Sequence, residues 1–108
     1  MTKEDFYSGK TTFQTEWLLH GCDLPKLSWG RLRIFNDGTS DCCFEHLGKL
    51  YGFEKRTYAS YFLSEDEYIR FDTMDRDDEE EYGLILRDII APEWQDNKEQ
   101  EFKYLGTH

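Results

Sequence analysis

Three consecutive residues, Asn36-Asp37-Gly38, constrain this chain more than any others. Asp-Gly supplies positions that tolerate φ > 0, which a tight hairpin turn needs at its centre. Before the turn, Leu32 and Ile34 alternate with Arg31, Arg33 and Phe35, the period-two pattern of a strand. After it, residues 39–46 place Cys42 and Phe44 on one face and Cys43 and Glu45 on the other. A second turn at Leu47-Gly48-Lys49 leads into Leu50-Tyr51-Gly52-Phe53. Residues 28–53 therefore read as a three-stranded antiparallel meander whose core hairpin spans about 31–46.

The elements around the meander are expected to be short. Residues 1–10 are polar and read as a loose arm of a single domain, 1–108. Phe13, Thr15, Trp17 and Leu19 alternate, and the threonine content favours a strand over a helix for residues 11–19. His20 to Pro25 reads as a loop. Tyr58, Phe62 and Leu63 recur at helical spacing, so a helix near 55–63 is expected to cover the sheet. Ser64 with Glu67 fits a capping box and suggests a fresh helical start into Tyr68, Ile69 and Phe71, with an extended segment as the alternative. A last helix near 79–90 is expected from Asp78 as cap and the stripe Tyr82, Ile85, Leu86, Ile89 and Ile90; Gly83 inside it is unfavourable. Residues 101–105 read as an edge strand with Phe102 and Tyr104 inward. The fold class is α+β: an antiparallel meander of three to four strands packed by two or three short helices.

Charge limits the partners. The formal net charge is -10 over 108 residues. Residues 1–53 carry six Lys/Arg against seven Asp/Glu, whereas residues 54–108 carry seven against sixteen. Nucleic acid and anionic lipid are bound by Lys and Arg neutralising phosphates, so this composition argues against both. It favours a basic protein surface. No apolar run approaches the ~20 residues of a membrane span, and MTKEDFYSGK lacks the apolar core of a signal peptide. Three cysteines, two of them adjacent, do not form a disulfide framework. The expected location is the cytoplasm.

Catalytic and metal chemistry find little footing. From Asp75 the acidic run resembles a calcium loop, but Glu80 stands where such a loop has Gly and Leu86 where it has Glu. His20 with Cys22 and Cys42 with His46 form an acceptable zinc set only if two strands bring them together, and neither pair has a finger spacing. Buried cysteines more often serve as small core hydrophobes. Cys43 and His46, three apart on a strand, point to opposite faces and make a poor nucleophile-base pair. The eight glycines never form a phosphate loop. Trp17, Trp29 and Trp94 suit a core better than a stacking platform, because no basic groove accompanies them.

The leading expectation is a non-catalytic binding or regulatory protein without metal or cofactor. It docks a basic partner through Glu65, Asp66, Tyr68, Phe71, Asp75, Asp77, Glu79 and Glu80, with Tyr82 nearby as a further anchor. Its concrete form is an inhibitor or immunity-type protein that masks the active site of a basic enzyme. No residue motif ties the chain to a particular family. A structural subunit of a larger assembly is one alternative, for which the acidity serves solubility alone. A metal- or thiol-dependent enzyme using Cys22, Cys42 and His46 is another.

Overall fold

The structure is a computed structural model that describes residues 1–44 and 48–107. The expected hairpin forms its centre. Strand β2 (Trp29–Phe35) turns at residues 36–38, with Gly38 at φ 87°, and returns as β3 (Ser40–Cys43). The register pairs Arg33 with Asp41 and Leu32 with Cys42. Strand β4 (Leu50–Phe53) continues the meander. Strand β1 (Phe13–His20) pairs antiparallel to β2, as the Thr-rich alternation predicts.

The sheet is larger than expected and is mixed. Strand β5 (Tyr68–Arg70) adds to β1, and β6 (Phe102–Gly106) adds parallel to β4. The order is β5-β1-β2-β3-β4-β6. The class is α+β, but six strands with one parallel pair replace an antiparallel meander of three or four. A parallel neighbour requires a long crossover, whose arrival at β4 no local pattern announces.

One face of the sheet carries an apolar core. Helix α2 (Arg56–Glu65) lays Ala59 and Leu63, one turn apart, against Leu18, Leu32, Cys42 and Phe53. Half-buried Ile34, Phe44, Tyr58, Phe62 and Tyr68 close its rim. Ser64 lies inside α2 instead of starting a new helix, and the chain reverses through Glu67 at φ 61° into β5.

The opposite face is divided. At one end Leu19, Met74 and Leu84 form a second apolar cluster with Trp29, Ile69 and Phe71. At the other end lie Phe35, Phe102 and Tyr104, covered by helix α1 (Lys3–Tyr7). Residues 1–10 are therefore not a loose arm. Thr2 caps α1 by accepting from the Asp5 amide at 3.1 Å, and Phe6 is 1% exposed. Gly52 permits that approach, since a Cβ there would sit 2.7 Å from the Phe102 ring and 3.0 Å from Phe6.

Helix α3 (Arg76–Tyr82) also differs from expectation. Asp75, not Asp78, is its N-cap, and Asp78 completes the capping box by accepting from the Asp75 amide at 2.9 Å. Gly83, in the left-handed conformation at φ 71°, ends the helix instead of continuing it. The Leu86 amide donates to the Glu79 carboxylate at 2.9 Å, and after Gly83 the chain leaves the α-helical path and makes only a short 3-10 turn at Leu86–Asp88. Leu86 and Ile89 still pack on the second cluster, whereas Ile85 and Ile90 face solvent. Among the described residues, no helix is long and apolar enough to cross a membrane.

Candidate functional site

The acidic segment lies at the surface next to β5 and the second apolar cluster. Glu65 and Asp66 are exposed where α2 ends. On α3, Asp77 and Glu80 are exposed, as is Glu81, while Asp75 and Glu79 serve as cap and latch. Asp72 is paired with Arg70 at 2.7 Å. Glu67 accepts from the Cys22 thiol. The three expected aromatic anchors, Tyr68, Phe71 and Tyr82, pack partly buried against the two apolar clusters. Tyr68 packs on His20 and Phe44 beside the first core, and Phe71 packs edge-on against Trp29 at 5.2 Å. Exposed apolar side chains occur on both sides of the acids in the chain: Tyr61, one turn before Glu65 on α2, is 61% exposed, and after α3 Ile85 is 54% and Ile90 87% exposed.

The two described thiol candidates, Cys22 and Cys42, lie in different surroundings. Cys22 is exposed in the turn after β1, while Cys42 lies in the first core with no exposure. Burial pushes the Cys42 thiol well above its ordinary range, the reverse of what a nucleophile requires. His46 lies outside the described residues. Among the described residues, no three His, Cys, Asp or Glu side chains gather as a metal-holding group.

A second constellation is not singled out by any motif. On the divided face, between the two apolar ends, β2 presents Arg31 and Arg33, 4% and 5% exposed. Arg33 donates from Nε and Nη2 to the two oxygens of Asp41 at 3.0 and 2.5 Å. Asp41 has no exposure and also accepts from the Tyr7 hydroxyl at 2.6 Å. Burial first, and then Asp41, push the Tyr7 hydroxyl above the usual tyrosine range. Burial works against the Arg33 charge, but the bonds and charges of Asp41 and Asp96 outweigh it and raise the Arg33 pKa.

Asp96 comes from the irregular segment between residues 89 and 101, which crosses this face as a strap. Its two oxygens accept from Arg31 Nη2 at 2.9 Å and Arg33 Nη1 at 2.6 Å. Burial works against its ionised form, yet the Arg31 bond and the two guanidinium charges hold its carboxyl below the ordinary range. The strap is fixed on both sides of Asp96. Trp94 packs edge-on against Trp17 at 5.2 Å, and Lys3 Nζ donates to the carbonyls of Asn97 and Gln100.

Two cavities open beside Asp96. One, about 440 Å³, lies toward α1 and includes Tyr7, Lys10, Phe35 and Lys98. The other, about 360 Å³, lies toward β1 and includes Thr15, Trp17, Arg31 and Trp94. Phe13, Arg33 and Asp96 border both. The part of this cluster visible in the sequence is the Arg33–Asp41 pair, since the hairpin turn fixes these residues opposite each other. Asp96 sits in a stretch without periodicity, and nothing in the sequence links it to β2.

No family model, curated protein or solved structure matches this chain.

Proposed function

We propose that this protein is a small non-catalytic binding protein that docks a basic partner protein through its acidic second half, masking that partner as an inhibitor or immunity-type protein does. One observation carries the reading: the two signs of charge are used differently. Arg31, Arg33, Arg56 and Lys10 are drawn into ion pairs with Asp96, Asp41, Glu16 and Asp37. On α3, by contrast, Asp77, Glu80 and Glu81 project into solvent around a helix that buries none of its residues. A basic surface is the electrostatic complement of such a helix, whereas a nucleic-acid backbone is repelled by it.

Charge of this kind mainly accelerates encounter, and apolar anchors supply residence. Ile85 and Ile90, which come after α3 in the chain, are exposed apolar groups available to serve as such anchors. Tyr68 and Phe71, packed on the two clusters, support the surface from beneath.

The test uses Asp77→Asn, Glu80→Gln and Glu81→Gln together, which leaves the Asp75–Asp78 box and the Glu79 latch intact. A partner retained by immobilised wild-type protein is then measured by surface-binding kinetics across a salt series. The triple variant is expected to associate more slowly with a flatter salt slope, because screening acts over about 8 Å at physiological ionic strength. Ile85→Ser with Ile90→Ser is expected to raise the dissociation rate instead. An unchanged association rate and salt slope would remove this reading and leave the acidic run as a solvated face of a structural subunit.

A further inference from the structure

We propose that the arginine pair under the strap is a binding site for a small organic carboxylate with a flat apolar body, which takes Arg31 in place of Asp96. The inference begins with an asymmetry between two neighbouring guanidinium groups. A guanidinium offers Nε and Nη2 as a side-on fork that matches the two oxygens of one carboxylate. On Arg33 that fork is filled, with Nε and Nη2 each bonded to one oxygen of Asp41. On Arg31 it is half filled: Nη2 reaches Asp96, while the buried Nε has no hydrogen-bond partner among the described residues. A buried N–H without an acceptor is costly, and a charged one more so.

Asp96 does not complete the Arg31 fork because it divides its oxygens between the two arginines. A carboxylate from outside, free of the Arg33 bond, can take both N–H groups of Arg31. The exchange replaces one anion by another, so the buried arginines stay neutralised. The displaced Asp96 has a short route to water, its side chain being 38% exposed on a segment without regular structure.

The body of the ligand is set by the walls. The cavity beside Arg31 holds about 360 Å³, within the range of small-molecule sites, and is faced by Phe13, Trp17 and Trp94. Trp17 and Trp94 meet edge to face, and Phe13 remains 54% exposed at the shared rim. Flat apolar surfaces beside a cation fit an aryl or similar planar carboxylate, and they disfavour inorganic phosphate, which has no apolar body to bury. The residues that line this cavity are distinct from those of the docking surface proposed above, so the site does not depend on that surface.

Phenylacetate and its neutral analogue phenylacetamide test this on the full chain, read by tryptophan fluorescence excited beyond the absorbance of either probe. Phenylacetate is expected to bind saturably, and phenylacetamide about ten-fold more weakly or worse, the usual loss for a bond to a charged group. Asp96→Asn is expected to tighten phenylacetate binding, since the internal competitor loses its charge. Arg31→Lys, which keeps the charge and loses the fork, is expected to weaken it by about ten-fold or more. A purely structural Asp96 predicts the reverse for Asp96→Asn. Nitrogen-edited NMR of the wild-type protein supplies a readout that needs no variant: the Arg31 Nε–H resonance is expected to shift as phenylacetate saturates. A motionless Arg31 resonance, equal binding of the amide, or no saturation on either wild type or Asp96→Asn would overturn the site.

Discussion

Strand β2 shows two ways of making a protein interior from one seven-residue segment. Its even face, with Leu32 under α2, is held by apolar contact among Leu18, Cys42, Phe53 and Leu63, which gains stability from area removed from water and requires no particular partner. Its odd face buries Arg31 and Arg33 just as deeply and holds them by named oxygens on Asp41 and Asp96. The first face tolerates repacking, because any side chain of similar volume serves. The second is strict: each buried charge is acceptable only while its counter-charge is present. A single strand thus combines a forgiving core with a demanding one.

The largest break in this comparison comes from Asp41. Removing its charge in Asp41→Ala leaves Arg33 buried against Asp96 alone, and the expected loss is about 3–5 kcal/mol by chemical denaturation. Replacing both partners, Arg33→Met with Asp41→Leu, is expected to recover most of that loss, since hydrophobic substitution of a buried pair is often neutral. A double variant as unstable as Asp41→Ala would show that Arg33 stabilises this face through more than its pairing with Asp41.

On the apolar face, Leu32→Ala is expected to cost about 2–5 kcal/mol, the range for emptying a fully buried aliphatic site. The hairpin register makes Ile34 look like its equal, but Ile34 is only half-buried at the edge of the same cluster. Ile34→Ala is therefore expected to cost less than Leu32→Ala. Equal losses in paired urea titrations would mean that α2 covers the whole strand.

The Tyr7 hydroxyl sharpens the comparison on a smaller scale, because it belongs to the strict face but can be removed without leaving a charge unpaired. Arg33 still holds both Asp41 oxygens in Tyr7→Phe, so the expected loss is about 1–3 kcal/mol, that of one bond to a charged acceptor. A loss within error of zero would show that water replaces the hydroxyl.

These two faces also mark how far the sequence could be read. The β2–β3 hairpin, β1, α2 and β6 follow from period-two or helical spacing and from Asp37-Gly38, all of which act locally. The crossover that brings β6 beside β4 is non-local and leaves no such trace. In residues 1–10 the polar composition hides one decisive residue, Phe6, whose burial depends on a space that Gly52 leaves some 46 positions away. After Gly83 the apolar residues keep a helical spacing, but the left-handed glycine and the Glu79 latch overrule it. The acidic candidates were legible as a solvated run. Tyr68 and Phe71 were not legible as inward-packed residues, since aromatic side chains suit a core and an interface equally well. The arginine cluster was half legible: Arg33 and Asp41 follow from the register, while Asp96 reaches them from a stretch with no pattern.

Acid separates the two faces most gently. The carboxyl of Asp96 titrates below the ordinary value of 3.8, because bonds and charge from Arg31 and Arg33 outweigh its partial burial. A depressed carboxylate contributes stability that is present above its unfolded pKa and is lost as pH falls through the lower, folded value. Asp96 is therefore expected to hold both arginines at neutral pH and to let go of them below the usual carboxylate range, while Trp94 and Lys3 keep the strap in place. The contribution of Asp96 is modest, about 1 kcal/mol or less, because its side chain is 38% exposed and screened by water. Trp94, two residues before Asp96, reports the event, since loss of the Asp96 bonds changes the surroundings of a ring that stays packed edge-on against Trp17. Near-UV circular dichroism followed from about pH 5 to about pH 2 is expected to show a tryptophan step in the wild type before the far-UV signal of the sheet changes. Asp96→Asn is expected to lack that step and to resemble the acid form of the strap already at pH 7. Leu32→Ala, altered only on the apolar face, is expected to keep the tryptophan step while unfolding more readily at every pH. A step that persists in Asp96→Asn would assign it to another carboxylate and remove Asp96 as its source.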